Sequence, residues 1–121
     1  RINALRYPRA LAAQETAESL PEERRDWEIG QAYARAAEPP LELVRIAADI
    51  AELGAELVGE ALAGLRADAA AASLLAAGAA RGAVQLVAIN LTAAPNDGRV
   101  AEARQCAESA DRAAARAAST L

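Results

Sequence analysis

The chain has 121 residues, the size of one ordinary domain, and 54% of them are hydrophobic, which is enough for a core. It contains no His and one cysteine, Cys106, which excludes a Ser–His–Asp triad, a Cys–His pair, a structural zinc site and an internal disulfide built from this chain. The net charge is −4 and the basic residues are scattered, so we expect no nucleic-acid ligand, and the lone cysteine suits a reducing cytoplasm.

Alanine dominates the composition, whereas β-branched residues are scarce and the aromatic residues are one Trp and two Tyr. Because Ala is the strongest helix former and Val, Ile and Thr are the main strand formers, this balance predicts an all-α protein. Each Ala buries little area, so stability has to come from long helices or from a partner subunit. We therefore expect an all-α bundle of long antiparallel helices.

Prolines divide the first third of the chain into two segments. The first, from Ile2 to Ser19, is weakly patterned, and Pro8 interrupts it. The second begins at Pro21, a residue suited to a first helical turn, and acidic residues follow at the positive end of the helix dipole. We expect Trp27 and Tyr33 of this second helix to be core residues rather than a ligand platform.

The third segment, from Leu41 to Leu62, follows Pro39-Pro40 and has the clearest helical periodicity. Its large apolar residues recur at steps of three and four, which predicts an amphipathic helix with these residues in the core. They are Leu43, Ile46, Ile50, Leu53, Leu57 and Ala61. Glycines along the segment indicate close helix contact, with the helix ending at Gly64.

The fourth segment, from Asp68 to Leu91, is long, rich in Ala and almost uncharged, yet it begins with a carboxylate and ends beside an amide. It is long enough to span a membrane, but Arg81 lies in its middle and Ala is only marginally hydrophobic, so we expect a buried central helix. At about 100° per residue, one stripe of this helix has small residues between two polar ends. The stripe consists of Asp68, Ala72, Leu75, Ala79, Gly82, Leu86 and Asn90.

The length of this helix separates its polar ends. Twenty-two residues at about 1.5 Å each span about 33 Å, so Asp68 and Asn90 of one chain cannot contact one small ligand. Either an antiparallel partner subunit brings opposite ends together, or the two residues serve different purposes. An Asp in a first helical turn and an Asn at a helix end also occur without any further role.

The fifth segment follows the turn sequence APNDG, in which Asn96 or Asp97 can cap a helix that runs to Thr120. Its charged residues indicate one solvated face. We expect Cys106 to be a small packed residue of this helix rather than a reactive one.

Four short motifs stand in a fixed order along the central part of the chain. They are Pro40-Leu41, Asp68, Gly82-Ala83 and Ile89-Asn90-Leu91. This order resembles the cyclodeaminase/cyclohydrolase family, which includes formimidoyltetrahydrofolate cyclodeaminase and methenyltetrahydrofolate cyclohydrolase. The resemblance extends over roughly Leu20 to Leu91, and the last helix agrees with the family in character only.

The resemblance implies folate one-carbon chemistry in an all-α homodimer, with the folate bound at or near the subunit interface. It implies that Asp68 is catalytic, and we predict Asn90 as a substrate-binding residue. Cyclodeamination closes a ring and expels ammonia, whereas cyclohydrolysis adds water to a methenyl carbon and opens the ring. Both reactions need a proton carrier and no metal, and a carboxylate can serve when burial raises its pKa towards neutrality.

We accordingly expect no cofactor other than a tetrahydrofolate derivative as substrate, no nucleic-acid or membrane partner, and a cytoplasmic location. Residues 1–121 are expected to form a single helical domain that lacks an N-terminal portion of the family's domain. Because both reactions require the same kind of carboxylate, the sequence does not separate cyclodeaminase from cyclohydrolase.

Two positions differ from the family's pattern and keep a second interpretation open. The chain has Gly64-Leu65-Arg66 where the family has a Gly-Asn pair, and Leu86 where the family has an Asn. The alternative is a non-catalytic helical dimerisation or ligand-binding member of the same fold. A third alternative is a generic helical bundle that is similar only because it is rich in Ala.

Overall fold

The all-α fold predicted from the composition is confirmed. A computed structural model describes residues 3–17 and 20–121, which form five α-helices and a 3₁₀ turn, with no strand in these ranges. The helices are α1 (Asn3–Ala17), α2 (Glu22–Ala36), α3 (Glu38–Glu60), α4 (Arg66–Asn90) and α5 (Gly98–Thr120), and the turn Ala63–Leu65 joins α3 to α4. Helices α3, α4 and α5 pack against one another, whereas α1 packs on α2 and this pair makes fewer contacts with the rest.

Helix α1 continues through Pro8, although the sequence predicted an interruption there. The proline lies in the second turn, where it removes one backbone hydrogen bond. The helix is held against α2 by Ala10 and by the Tyr33 hydroxyl, which donates a 3.1 Å hydrogen bond to Gln14 Oε1. The predicted ends of this segment, residues 2 and 19, lie outside the described residues.

Helices α2 and α3 meet at Ala37 almost without a break. Pro21 precedes α2 as its N-cap residue, one position before the predicted first turn. Pro39 and Pro40 lie in the first turn of α3, so this helix begins at Glu38 and not at the predicted Leu41. Ala37 keeps helical dihedral angles, and its N–H donates a 3.0 Å hydrogen bond to the Tyr33 carbonyl oxygen. The two prolines lie where no intrahelical donor is required, so they start α3 rather than disrupt it.

Helices α3 and α4 approach each other closely at Gly54. A Cβ atom at this position would stand 2.9 Å from the carbonyl oxygen of Ala69 and 3.0 Å from the Cβ of Ser73. Ser73 is fully buried, and its Oγ donates a 2.6 Å hydrogen bond to the carbonyl oxygen of Ala51 across the two helices. Only a glycine admits this approach, so the close helix contact predicted from the glycines is confirmed at Gly54.

The buried face of α3 differs from the predicted one. Most of the residues that face its neighbours are smaller: Leu41, Val44, Ala47, Ala51, Gly54 and Val58. The predicted core residues are 44–55% exposed: Leu43, Ile46, Ile50, Leu53 and Leu57. The prediction was wrong because it selected the face by side-chain size, whereas the close contact at Gly54 leaves room only for small side chains.

The end of α3 also differs from the prediction. The helix ends at Glu60, and Ala61 has extended backbone dihedral angles. Gly64, the predicted terminator, instead lies in the 3₁₀ turn. A change to extended backbone at an alanine is therefore sufficient to end the helix.

Helix α4 confirms the predicted long helix, but only part of it is buried. Within the described residues, Ala63–Asn90 is the one stretch long and apolar enough to cross a membrane, with a mean hydropathy of 1.5. Core helices of soluble proteins share this length and composition. Arg81 lies near the middle of α4 and forms an ion pair with Asp111 of α5 at 3.6 Å. This pair favours a core helix over a membrane-spanning one.

The stripe of α4 that was predicted to be buried is on the outside of this subunit. Asn90 of this stripe is half-buried. Its other members are exposed: Asp68, Ala72, Leu75, Ala79, Gly82 and Leu86. The opposite side, which includes Ser73, Ala80 and Val87, packs against α3 and α5. The expectation of a helix buried on all sides is therefore wrong for the single subunit.

Helix α5 begins as predicted, with Asp97 as its N-cap residue. The ion pairs Arg45–Glu102 and Glu52–Arg116 tie it to α3 at the surface. Cys106 is partly buried against the main core, which agrees with a packed cysteine.

We predict that Gly54→Ala lowers the free energy of unfolding by about 1–3 kcal/mol, because the added Cβ forces α3 and α4 apart. The matched control is Gly59→Ala, since Gly59 lies in the same helix and an added Cβ there meets nothing within 4 Å. That control should be unchanged or more stable by up to about 1 kcal/mol, since Ala favours the helix. Urea denaturation followed by circular dichroism measures both, and equal stabilities of the two variants would contradict the packing described.

Candidate functional site

The two predicted site residues, Asp68 and Asn90, lie at opposite ends of α4. This helix is continuous from Arg66 to Asn90, so the two residues are about 33 Å apart at about 1.5 Å per residue. One subunit therefore does not bring them together. A site that uses both residues has to be built from two subunits.

Asp68 is exposed in the first turn of α4. Its carboxylate lies near the positive end of the helix dipole, and the N-cap residue Leu65 provides no side-chain cap. Leu62, in the connection that precedes α4, is also exposed and does not cover Asp68. Among the described residues, the five main clefts do not include Asp68 in their lining. Within one subunit, nothing encloses this carboxylate for chemistry.

Asn90 lies where three clefts meet. Its Nδ2 donates a 2.7 Å hydrogen bond to the carbonyl oxygen of Leu86, so the side-chain carbonyl oxygen is the group able to accept a hydrogen bond from a ligand. The three clefts have volumes of about 450, 470 and 450 Å³. Each volume falls within the range of small-molecule sites. Asn90 is thus the predicted site residue that lies in concave surroundings.

The first of these clefts, called here the apolar cleft, lies between α1, the start of α3 and the end of α4. It is lined by Tyr7, Ala36, Pro39, Pro40, Leu43, Leu86, Ile89 and Asn90. Leu86, which stands where the resembling family has an Asn, is 52% exposed. An apolar side chain therefore forms part of this wall beside Asn90.

The second cleft, called here the polar cleft, contains an exposed tryptophan. Trp27 is 65% exposed and lines the cleft together with Asp26, Gln31 and Asn90. The expectation that Trp27 is a core residue is wrong, because α2 turns small residues such as Ala32 inward and leaves the indole outside. An indole face beside carboxylate and amide groups suits a flat heteroaromatic ring with N–H donors. The sequence offered one signal for a Trp27 site, namely that it is a single Trp in a chain poor in aromatic residues.

The polar cleft is bounded by a pair of charged residues at the start of α5. The Arg99 guanidinium donates hydrogen bonds to both carboxylate oxygens of Asp97, at 3.1 and 2.9 Å, and to the carbonyl oxygen of Ala34 in α2 at 2.8 Å. The pKa of Arg99 is raised, chiefly by its hydrogen bond to Asp97. This pair fastens α2 to α5, and sequence reasoning identified only the capping role of Asp97.

Large apolar side chains are exposed on one side of α3 and α4, and we call this surface the apolar face. Its large side chains are Leu43, Ile46, Ile50, Leu53 and Leu57 of α3 and Leu75, Leu86 and Ile89 of α4. At 100° per residue they lie between about 80° and 180° around each helix from the residues paired with α5, so the face points away from α5. Together they expose on the order of 800 Å², which exceeds the largest patch of a typical monomer and matches one side of a standard protein interface.

Two glycines lie in the middle of the apolar face. Gly78 and Gly82 of α4 are exposed, and a Cβ atom at either position would meet nothing within 4 Å. Each lowers the stability of the helix by about 1 kcal/mol relative to Ala. Nothing within the described residues of the subunit requires their small size, in contrast to Gly54.

Within residues 3–17 and 20–121, no group of three or more His, Cys, Asp or Glu side chains is arranged to hold a metal ion. The ionisable side chains in these ranges are carboxyl and guanidinium groups, the tyrosine hydroxyls and the Cys106 thiol.

Comparison with known proteins gives one clear similarity. The sequence model of a family described as formiminotransferase-cyclodeaminase matches residues 4–109. The matched span includes Asp68, Asn90 and the whole apolar face. No curated protein and no solved structure is significantly similar to this chain.

The Asp97–Arg99 pair should make stability depend on pH. The hydrogen bonds that Arg99 donates, first from its side chain and then from its backbone N–H, hold the pKa of the Asp97 carboxyl below its ordinary value of 3.8. A carboxyl whose pKa is lowered by folding stabilises the fold above the unfolded-state pKa and loses this contribution as pH falls through the folded-state pKa. We predict that Asp97→Asn, which can still cap the helix, is less stable than the parent by about 1–2 kcal/mol at pH 7.

The difference between parent and Asp97→Asn should be constant above about pH 5 and shrink as pH falls below the ordinary Asp value. Thermal unfolding at a series of pH values from 7 to about 2 measures it. Asp49→Asn, a change of an exposed carboxylate on α3, controls for the loss of charge. A difference that persists unchanged to the lowest pH would contradict the role assigned to the pair.

Proposed function

Because this chain belongs to the formiminotransferase-cyclodeaminase family, we propose that it is a folate-dependent enzyme of one-carbon metabolism. Its reaction is that of formimidoyltetrahydrofolate cyclodeaminase or methenyltetrahydrofolate cyclohydrolase. The observation that carries this proposal is the family match over residues 4–109, which includes both predicted site residues.

The proposed enzyme is a homodimer of antiparallel helix bundles. Short connections join α3 to α4 and α4 to α5, as is typical of antiparallel neighbours. The apolar face supports dimerisation, because its exposed area of about 800 Å² is what one partner contributes to a stable interface. A core built largely from alanine makes the burial of this face an important source of stability.

Asp68 is the proposed general acid and base. In cyclodeamination, the formimidoyl group reacts as its protonated amidinium ion. The carboxylate of Asp68 accepts the proton of the attacking folate nitrogen as that nitrogen bonds to the formimidoyl carbon, and gives it to the amino group, whose bond to that carbon then breaks to release ammonia. In cyclohydrolysis, it accepts a proton from the water that adds to the methenyl carbon and donates it to the ring nitrogen whose bond to that carbon breaks. The remaining hydroxyl proton of the adduct is released to solvent as the formyl carbonyl forms. In both reactions Asp68 ends as the carboxylate from which it started.

The exposure of Asp68 sets a condition on this role. Proton transfer by a carboxylate is most effective where water is excluded and the substrate is held in place. In one subunit Asp68 is exposed, so the partner subunit and the substrate have to cover it. The apolar face adjoins the Asp68 end of α4 and supports such coverage.

Asn90 is the proposed substrate-binding residue. Its free amide oxygen can accept a hydrogen bond from an N–H group of a folate ring, while its amide nitrogen is held by Leu86. Trp27 in the polar cleft offers a face on which a flat ring can stack. The proposal includes no metal, no cofactor beyond the tetrahydrofolate substrate, no nucleic-acid or membrane partner, and a cytoplasmic location, which the scattered basic residues and single cysteine support.

A second candidate is a non-catalytic dimerisation or ligand-binding member of the same fold. It is favoured by Leu86, which places an apolar side chain beside Asn90 where the resembling family has an amide. This candidate retains the apolar face and the dimer but assigns no proton transfer to Asp68.

We predict that Asp68→Asn reduces turnover of formimidoyl- or methenyltetrahydrofolate by roughly 10²–10⁴-fold, because the amide cannot carry the proton. The absorbance of the methenyl product or substrate measures the rate, and circular dichroism verifies that the fold is unchanged. Asp49→Asn serves as the matched control and should retain parent activity.

Full activity of Asp68→Asn would disprove the catalytic assignment. The non-catalytic candidate predicts instead that the parent protein turns over neither compound and shows no heat of binding when titrated with tetrahydrofolate. Calorimetry on the parent protein therefore separates the two candidates before any variant is made.

A further inference from the structure

We propose that Arg99 is a positioning residue, which holds the pair of helices α1 and α2 against the rest of the subunit and thereby sets the shape of the clefts around Asn90. When its hydrogen bond to α2 is lost, the α1–α2 pair turns outward as a unit at Ala37. This role rests on the proposed function only where that function assigns substrate binding to Asn90, and it concerns a single subunit.

The clefts around Asn90 lie along a boundary between two separately packed parts of the subunit, called here the seam. The α1–α2 pair has a small core of its own, formed by Ala10, Ala32 and Ala36, whereas α3, α4 and α5 share the main core. Each of the three clefts has one wall from the α1–α2 pair and another from the end of α4 or the residues that follow it. The position of the pair therefore decides how wide these clefts are.

Arg99 supplies a hydrogen-bond donor that the end of α2 lacks. The last four carbonyl oxygens of a helix have no intrahelical partner, and Pro39 and Pro40, which follow α2, have no N–H to offer them. One of these four oxygens, that of Ala34, accepts a 2.8 Å hydrogen bond from Arg99 across the seam. The helix dipole also favours a cation at this end of a helix. Arg99 thus holds α2 both by a hydrogen bond and by its charge.

The guanidinium group of Arg99 is itself fixed to the main part of the subunit. It donates hydrogen bonds to both carboxylate oxygens of Asp97, and the Arg99 side chain is only 26% exposed. Asp97 is the N-cap residue of α5, where its Oδ1 also accepts a 3.0 Å hydrogen bond from the backbone N–H of Arg99. Because α5 packs in the main core, Arg99 joins α2 to a rigid support.

The bond from Arg99 acts on the side of α2 that carries Trp27. Trp27 and Ala34 are seven residues apart, which at about 100° per residue places them on the same side of the helix. Both residues line the polar cleft together with Arg99 and Asn90. A bond at Ala34 therefore fixes the position of the indole relative to Asn90.

The junction between α2 and α3 is where the α1–α2 pair can turn. Pro39 and Pro40 remove two of the backbone hydrogen bonds that would otherwise make α2 and α3 one continuous helix. Ala37 is fully buried in the main core, so it stays with α3 when the helix before it moves. Since the pair makes few other contacts with the rest, loss of the Arg99 bond should be enough to open the seam.

The single tryptophan and single cysteine of the chain allow the position of α2 to be measured. In a Cys106→Ser background, Ala93→Cys places a nitroxide label on the α4–α5 connection, which lines the polar cleft with Trp27. The label should quench Trp27 fluorescence, and Arg99→Gln should reduce this quenching roughly twofold or more, because α2 moves away.

The matched control is Arg116→Gln, which breaks a surface ion pair between α5 and α3 and leaves α2 untouched. It should preserve the quenching of the labelled parent. Quenching that is equal in Arg99→Gln and in the control would overturn the positioning role.

Hydrogen exchange tests whether α1 and α2 open together. In Arg99→Gln, the amides of α1 and α2 should exchange roughly tenfold faster, while the buried amides of α3 and α4 keep their protection. Arg99→Lys keeps a cation and a donor group at the end of α2, so it should restore part of the protection.

Two patterns of exchange would overturn the opening at the seam. Equal acceleration in all five helices would show a loss of overall stability instead of a local opening. A Lys variant that is no better protected than the Gln variant would show that neither the charge nor the donated bond holds the pair.

None of these measurements needs substrate, so they are separable from failure of the proposed function. In an active protein, Arg99→Gln should raise KM for the tetrahydrofolate substrate roughly tenfold and leave kcat nearly unchanged, because the closed pair is populated less before binding. The predicted quenching and exchange in a protein without turnover would support the role of Arg99 and disprove the enzyme. Turnover with a KM that Arg99→Gln does not change would support the enzyme and overturn the positioning role.

Discussion

The close approach of α3 to α4 at Gly54 is the constraint on which the rest of this structure depends. With the Ala69 backbone and Ser73 against Gly54, the space between the helices admits only small side chains. The large apolar residues of α3 are consequently displaced to the outside, where they join those of α4 in the apolar face. A contact inside the subunit thereby creates a surface that requires something to cover it.

Because the core consists largely of alanines and valines, the fold depends on interactions other than the burial of large side chains. Small side chains contribute little apolar burial each, so a tight backbone approach and buried bonds such as that from Ser73 to Ala51 become important. The Asp97–Arg99 pair performs a related task at the periphery, because it fastens α2 to the start of α5. Burial of the apolar face in a dimer would add what the alanine core does not provide.

In the proposed enzyme, assembly and chemistry both involve α4. One subunit presents a carboxylate that is exposed and an amide that borders three clefts, at the two ends of one rigid helix. A carboxylate that transfers protons works best where the substrate is held in place. An amide that binds the substrate contributes to turnover only if a reacting group lies nearby. In the proposed homodimer, the partner subunit and the substrate would provide the enclosure that one subunit lacks.

The sequence by itself determined that the chain is all-α, where most helices begin, and that Asp68 and Asn90 stand at opposite ends of one long helix. Propensity, prolines and the Asp97 cap act locally, so they can be read without the fold. It also carried the family resemblance. The tertiary structure alone decided that Leu43 and Ile50 face outward, that Trp27 lines a cleft and that the stripe of α4 is exposed. Periodicity shows which residues share a helix face, but which face turns inward depends on where a neighbouring backbone can come close, and here Gly54 decides it.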